Sequence, residues 1–235
     1  MTLRVVLAGQ RSFGRAALQA LDRVPGVEVA LVVSPATDTD ALTSYAFAQG
    51  HGWKDRITPE AVSHVRADLI VAAHSHDFIG RKTRAATKLG AVGYHPSLLP
   101  RHRGRDAVEW TVRMGDPVAG GSVYWFTDSV DGGPVARQDW CHVRRDEGAS
   151  DLWRDQLFPM GVRLLVEVVE EVRDGVLRQV PQDERYATWE PAITGQRLHR
   201  PELPEIGSGP AGYRVVATSG RLETTDTPGG HSAQG

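Results

Sequence analysis

Two residues of this chain have the type and setting for proton transfer. His95 ends an apolar run and opens the stretch Pro96-Ser97-Leu98-Leu99-Pro100-Arg101-His102-Arg103-Gly104. Pro96 and Pro100 restrict φ on either side of Ser97-Leu98-Leu99 and so hold that backbone ready for a ligand. Asp131 follows 36 residues later, in Asp128-Ser129-Val130-Asp131-Gly132-Gly133-Pro134. Gly132 and Gly133 allow positive φ or close backbone approach beside the carboxylate. A histidine and an aspartate on two stiff loops can serve a reaction in which a carbonyl carbon is attacked and a leaving group takes a proton. Taken singly, His95 equally fits a core histidine bonded to a backbone carbonyl, and Asp131 an ordinary turn residue.

The elements that must position this pair alternate through the first half. Leu3 to Ala8, Val27 to Val33, Asp68 to Ala73 and Ala91 to Tyr94 read as buried strands. Helical spacing follows Ser12, runs from Thr39 to Gln49, opens again at Thr58-Pro59-Glu60 and spans Arg81 to Lys88. The alternation predicts an α/β fold, an open, mostly parallel Rossmann-like sheet with helices on both faces. Beyond the proline loop, a helix is expected over Asp106 to Met114. Strands are expected over Gly121 to Phe126 and Pro134 to Val143, then one long helix from Ala149 to Asp174. Ligands of such sheets bind beyond the carboxyl ends of the strands, so the loops after residues 73, 94 and 126 are expected to gather at one edge. Residues 1–195 are expected to form the catalytic domain, and 196–235 a polar, largely disordered tail.

Composition narrows the partners. A net charge of −2 gives no bias toward nucleic acid or an anionic membrane. Lys54, Lys82 and Lys88 are the only lysines, which we read as genome composition rather than function. The single cysteine, Cys141, excludes an intrachain disulfide and fits a reducing compartment as buried filler. Neither a leader nor a membrane span is expected, which predicts a cytoplasmic protein. His51, His74 and His76 lack the further ligands a metal site needs, so no metal is expected. Gly9 to Gly14 departs from the nucleotide-binding glycine pattern and reads as a tight strand-to-helix turn. Arg101, Arg103 and Arg105 are either a solvated rim or a meeting point for an acidic group. Trp125, Trp140 and Trp153 are expected to pack rather than stack on a ligand.

The His-Pro-Ser-Leu-Leu-Pro run, the Arg-Gly that follows and the Asp-Gly-Gly-Pro loop resemble the signature of the formyltransferases that use 10-formyltetrahydrofolate, and the 36-residue interval agrees. The resemblance covers residues 3 to 193. Within the family, the run from Tyr94 to Gly104, Leu157-Phe158-Pro159-Met160-Gly161 and Ala187-Thr188-Trp189-Glu190 are similar to the hydrolase domain of 10-formyltetrahydrofolate dehydrogenases. The resemblance implies that His95 and Asp131 are the catalytic pair and 10-formyltetrahydrofolate the donor. It places the pterin against His76, Asp77, Phe78 and Ile79 and against Asp128, Ser129 and Val130, with Ser97, Leu98, Leu99 and Pro100 as a further wall. The implied acceptor is a small-molecule amine or, in a hydrolase, water. An oligomer is compatible with the reading, and a tRNA acceptor is not expected. Most transferases of the family carry an asparagine two residues before the histidine, where this chain has Gly93. Restoring that amide with Gly93→Asn is expected to raise transfer relative to hydrolysis if the pocket tolerates the side chain.

Overall fold

The computed structural model describes residues 2–38, 41–193 and two strands at 215–218 and 221–224. Seven strands make one sheet: β1 (Leu3–Gly9), β2 (Val27–Val33), β3 (Trp53–Lys54), β4 (Leu69–Ala73), β5 (Ala91–His95), β6 (Val118–Trp125) and β7 (Val135–His142). Their order is β3-β2-β1-β4-β5-β6-β7. β1 to β5 are mutually parallel, and β6 and β7 are antiparallel. This is the expected open, mostly parallel α/β sheet, with its chain reversal between β1 and β4.

Both faces are covered, as the continuously apolar strands require. On one face, α1 (Arg11–Leu21), α2 (Leu42–Ala48) and α7 (Phe158–Arg173) bury Phe13, Leu18, Leu42, Leu164 and Leu165 against Val5, Leu7, Val71 and Val92. On the other, α3 (Pro59–His64), with Ile57 and Ile79, covers Val6, Ala8, Ile70, Ala72 and Ala91. α5 (Ala107–Arg113) follows the proline loop.

Two expectations are adjusted. The helix from Arg81 is only four residues long, α4 (Arg81–Arg84), because the Thr87 hydroxyl bonds the Arg84 and Gly90 carbonyls and closes a turn instead. The long helix is interrupted: α6 (Ala149–Leu152) passes through a π turn, Trp153–Leu157, before α7. Pro159, in the first turn of α7, has no N–H to continue the ladder. Of the tail 196–235, the structure describes an antiparallel ladder, β8 (Val215–Thr218) with β9 (Arg221–Thr224); the rest lies outside the described residues.

The interruption has a packing counterpart. Tyr94 donates its hydroxyl to the Leu157 carbonyl in the π turn, at 2.8 Å. Its ring fills the space above two glycines: a Cβ at Gly121 or Gly161 would come within 2.4 Å of ring atoms. Gly161→Ala is therefore expected to cost about 1–3 kcal/mol in a denaturant melt, the usual range for overpacking. A variant as stable as the parent would show that the ring is free to move aside.

Candidate active site

His95 is the last residue of β5 rather than part of the loop after it, so its backbone is held by the sheet. Antiparallel pairing sets His95 opposite Ser122 and Gly93 opposite Tyr124, placing all four on one face. The same pairing corrects the expectation that three strand ends share one edge. β6 runs opposite to β5, so its carboxyl end lies beside Ala91, with the Phe126 N–H bonded to the Ala91 carbonyl. The loop carrying Asp131 reaches His95 by folding back across the face, not by leaving the same edge.

That return is tightly specified. Gly133 sits where a Cβ would be 1.7 Å from the Trp125 carbonyl oxygen, so only glycine fits there. Asp131 adopts φ +50°, in the left-handed region. Its carboxylate accepts the Tyr124 hydroxyl on Oδ1 at 2.6 Å and the Gly104 N–H on Oδ2 at 2.7 Å. Oδ2 is also 3.7 Å from Nδ1 of His95. From behind, Gln182 donates to the carbonyls of Asp131 and Gly133, and buried Arg103 grips Gln182 and Glu184.

His95 is 7% exposed, and its Nε2 is 2.7 Å from the His102 carbonyl. A carbonyl only accepts, so Nε2 carries a proton toward it, and Nδ1 is the nitrogen that faces Asp131. His95 is thus a carbonyl-bonded histidine whose second nitrogen is turned toward a carboxylate. At 3.7 Å the two groups face one another without a direct hydrogen bond.

The proline loop is strapped to the sheet. The Ser122 hydroxyl donates to the Ser97 carbonyl at 2.6 Å and accepts from the Leu99 N–H at 3.0 Å. Gln138 adds bonds to the Leu99 carbonyl and Ser122. Ser97 donates to the Arg101 carbonyl, Leu98 packs over Gly120, and the Leu99–Pro100 peptide is cis. The segment from Thr188 onward covers the loop, with Arg103 N–H bonded to the Thr188 carbonyl and Trp189 packed on Gly104. His102 is buried between Asp116 (3.0 Å) and Glu190 (3.2 Å).

The remaining sequence-predicted residues are divided. Ile79 and Leu99 are buried, Leu99 in a cluster with Tyr124 and Val135 against which Phe126 packs. Phe78 is 86% exposed, and Val130, Ser129 and His76 are also exposed on the rim. Asp128 ties its loop to α4 through Arg81 and Arg84. Asp77 is turned back into the fold, accepting the Ile57 N–H at 3.0 Å. Pro100 lines a separate cleft of about 370 Å³ with Arg137, Gln138, Arg178 and Gln182; neither His95 nor Asp131 borders it. Arg103 is a buried brace whose guanidinium is taken by Glu184 and Gln182, whereas Arg101 pairs with Asp116 and Arg105 is exposed.

His74 adopts φ +61°; burial first, then the neighbouring His76 and Arg11, hold its imidazole below the usual range. His51 is occupied by Asp22 and the Val29 carbonyl. Trp125 and Trp153 are core residues, but Trp140 is 54% exposed on β7, at the sheet edge. Burial, with Glu147 and Asp139 nearby, pushes the Cys141 thiol up, consistent with a filler role. No helix among the described residues is long and apolar enough to cross a membrane.

Sequence reasoning missed Tyr124, Phe126 and Gln182. Phe126 lies directly over Gly93: a Cβ built there would be 2.5 Å from the ring and 3.1 Å from Ala72 Cβ. An asparagine at 93 has no room beside the ring as it stands, so the condition on which Gly93→Asn would restore an amide is not met. That Phe126, two residues beyond Gly93's strand partner Tyr124, leans diagonally over Gly93 was readable only once the β5–β6 register was known.

Residues 3–169 match the family model described as "Formyl transferase". The chain belongs to the formyl transferase family. The mitochondrial 10-formyltetrahydrofolate dehydrogenase of Mus musculus is 35% identical over 201 residues, covering 80% of this chain and 22% of that protein. This family member therefore spans about a fifth of the length of such relatives. Among solved structures, glycinamide ribonucleotide transformylase 1 from Symbiobacterium toebii superposes with a TM-score of 0.66 at 24% identity, over 77% of this chain and 93% of its own. The N-formyltransferase from Helicobacter canadensis, solved with folinic acid and dTDP-3-aminofucose, gives 0.67 at 14% identity, over 81% and 71%. Both share the fold described above.

Proposed function

We propose that this protein moves the formyl group of 10-formyltetrahydrofolate to a small-molecule amine, using His95 and Asp131. The observation that carries the reading is the pair itself: a histidine whose Nδ1 faces a fixed carboxylate at 3.7 Å, on a face walled by Ile79, Leu99 and Phe126. Family membership and the folate-bound solved neighbour support the donor.

In this reading the acceptor nitrogen attacks the formyl carbon and a tetrahedral oxyanion forms. His95 donates a hydrogen bond from Nδ1–H to that oxygen and keeps the proton as the carbonyl re-forms, while Asp131 balances the imidazolium charge. A proton passes from the attacking nitrogen, through a water held at Asp131, to the leaving N10 of the folate as the carbon–N10 bond breaks. Tetrahydrofolate and the formylated amine are the products.

A second reading is favoured by one observation. Phe126 over Gly93 leaves the site without a side-chain amide beside His95, a donor of the kind worth ~10²–10³ in rate. Water as the attacking nucleophile then gives formate and tetrahydrofolate. Tetrahydrofolate release, followed by absorbance without acceptor and then with a panel of amines, separates the two. Acceptor-dependent release is expected for transfer, and acceptor-independent release for hydrolysis. Folate binding with no release under either condition would overturn both and leave a non-catalytic folate-binding protein.

A further inference from the structure

We propose that Tyr124 is a positioning residue for Asp131, holding the carboxylate in the orientation from which it faces His95. The inference rests on reading His95 and Asp131 as the working pair. A carboxylate on a loop can rotate about its terminal bond, and the two oxygens of Asp131 are given different tasks. Oδ2 takes the Gly104 N–H and faces Nδ1 of His95, whereas Oδ1 is bonded to the Tyr124 hydroxyl at 2.6 Å. Without that hydroxyl, one backbone N–H alone would have to fix the orientation.

The phenol is built to donate. Burial first, then the charge of Asp131 and the hydrogen bond to it, raise its ionisation well above the usual range, so the proton stays on the tyrosine oxygen. The ring cannot swing away. It is 7% exposed, stacked on Phe126 at 5.1 Å and 27°, and packed with Leu99 and Val135. Its β-sheet partner is Gly93, which leaves the ring unobstructed from that side.

Few other groups face Asp131. His95 approaches from β5 and Tyr124 from β6, and the Gly104 amide comes from the proline loop. The Arg103 guanidinium is engaged by Gln182 and Glu184, and Gln182 touches only the Asp131 carbonyl. Within the loop, Asp128 is paired with Arg81 and Arg84. Tyr124 is therefore the side chain that donates to this carboxylate.

Tyr124→Phe keeps the ring and its packing and removes only the hydroxyl. We expect kcat to fall roughly 10- to 100-fold, the usual worth of a hydrogen bond to a charged group, with the KM for 10-formyltetrahydrofolate nearly unchanged. In an Asp131→Asn background the same change is expected to cost little, since the two residues act through one contact. A purely structural tyrosine would lower stability and cost the same in both backgrounds; that result would overturn the proposal. The side-chain carboxyl ¹³C chemical shift of Asp131, recorded at one pH in both proteins, gives an arm independent of turnover. It is expected to move in Tyr124→Phe with the loss of the hydroxyl donor, and an unchanged resonance overturns the proposal. If the parent and Asp131→Asn turn over equally while that resonance still moves, the catalytic reading fails and the contact stands.

Discussion

His95→Ala is expected to lower formyl release by on the order of 10²–10⁴, the range typical of a lost general acid–base, while folate affinity stays within a few-fold. The split follows from the geometry. His95 is buried and turns its Nδ1 toward Asp131, whereas the walls proposed for the pterin, Ile79 and Leu99, are separate buried residues. Equilibrium binding of a folate analogue, alongside steady-state rates, checks both halves. Parent-like rates in a folded variant would remove His95 from the mechanism. Loss of folate binding in parallel with rate would instead mean that the side chain holds the proline loop, through its bond to the His102 carbonyl, rather than moving a proton.

Gly93→Asn is expected to destabilise the protein by about 1–3 kcal/mol and to leave the balance between transfer and hydrolysis unimproved. Its Cβ would lie 2.5 Å from the Phe126 ring, and the ring is backed by Tyr124. Pairing it with Phe126→Ala opens the required volume. In that double variant the ratio of formylated amine to formate is expected to rise, by up to ~10² if the new amide reaches the oxyanion. Denaturant melts of both variants and product ratios from one amine settle the matter. A single variant as stable as the parent would show that Phe126 is not fixed over Gly93. A folded double variant with the parental ratio would show that position 93 does not govern partition.

Much of the architecture was readable because parallel strands buried on both faces are continuously apolar. Leu3–Gly9, Val27–Val33 and Leu69–Ala73 announce themselves, and the helices between them force a parallel sheet. The two-residue strand β3 carries too little pattern to be seen. The break at Trp153–Leu157 was hidden because its apolar spacing continues across the π turn, although Pro159 marked it. In the site, His95, Asp131 and Gly133 were legible from residue type and loop chemistry. The directions taken by Asp77 and Arg103 were not legible, because charge type alone does not say which way a side chain turns: one side chain caps the Ile57 amide, the other braces Gln182 and Glu184 from inside.

The amino-acid sequence by itself determined the strand–helix alternation, the two stiff loops and the residue types able to carry a proton, since these follow from local propensity, spacing and backbone restriction. Only the tertiary structure decided how they meet. β6 runs antiparallel to β5, so the Asp131 loop must return across the face, and the β5–β6 register puts Tyr124 beside Asp131 and Phe126 over Gly93. Strand direction and register are fixed by contacts between segments far apart in the chain, and no local pattern encodes them.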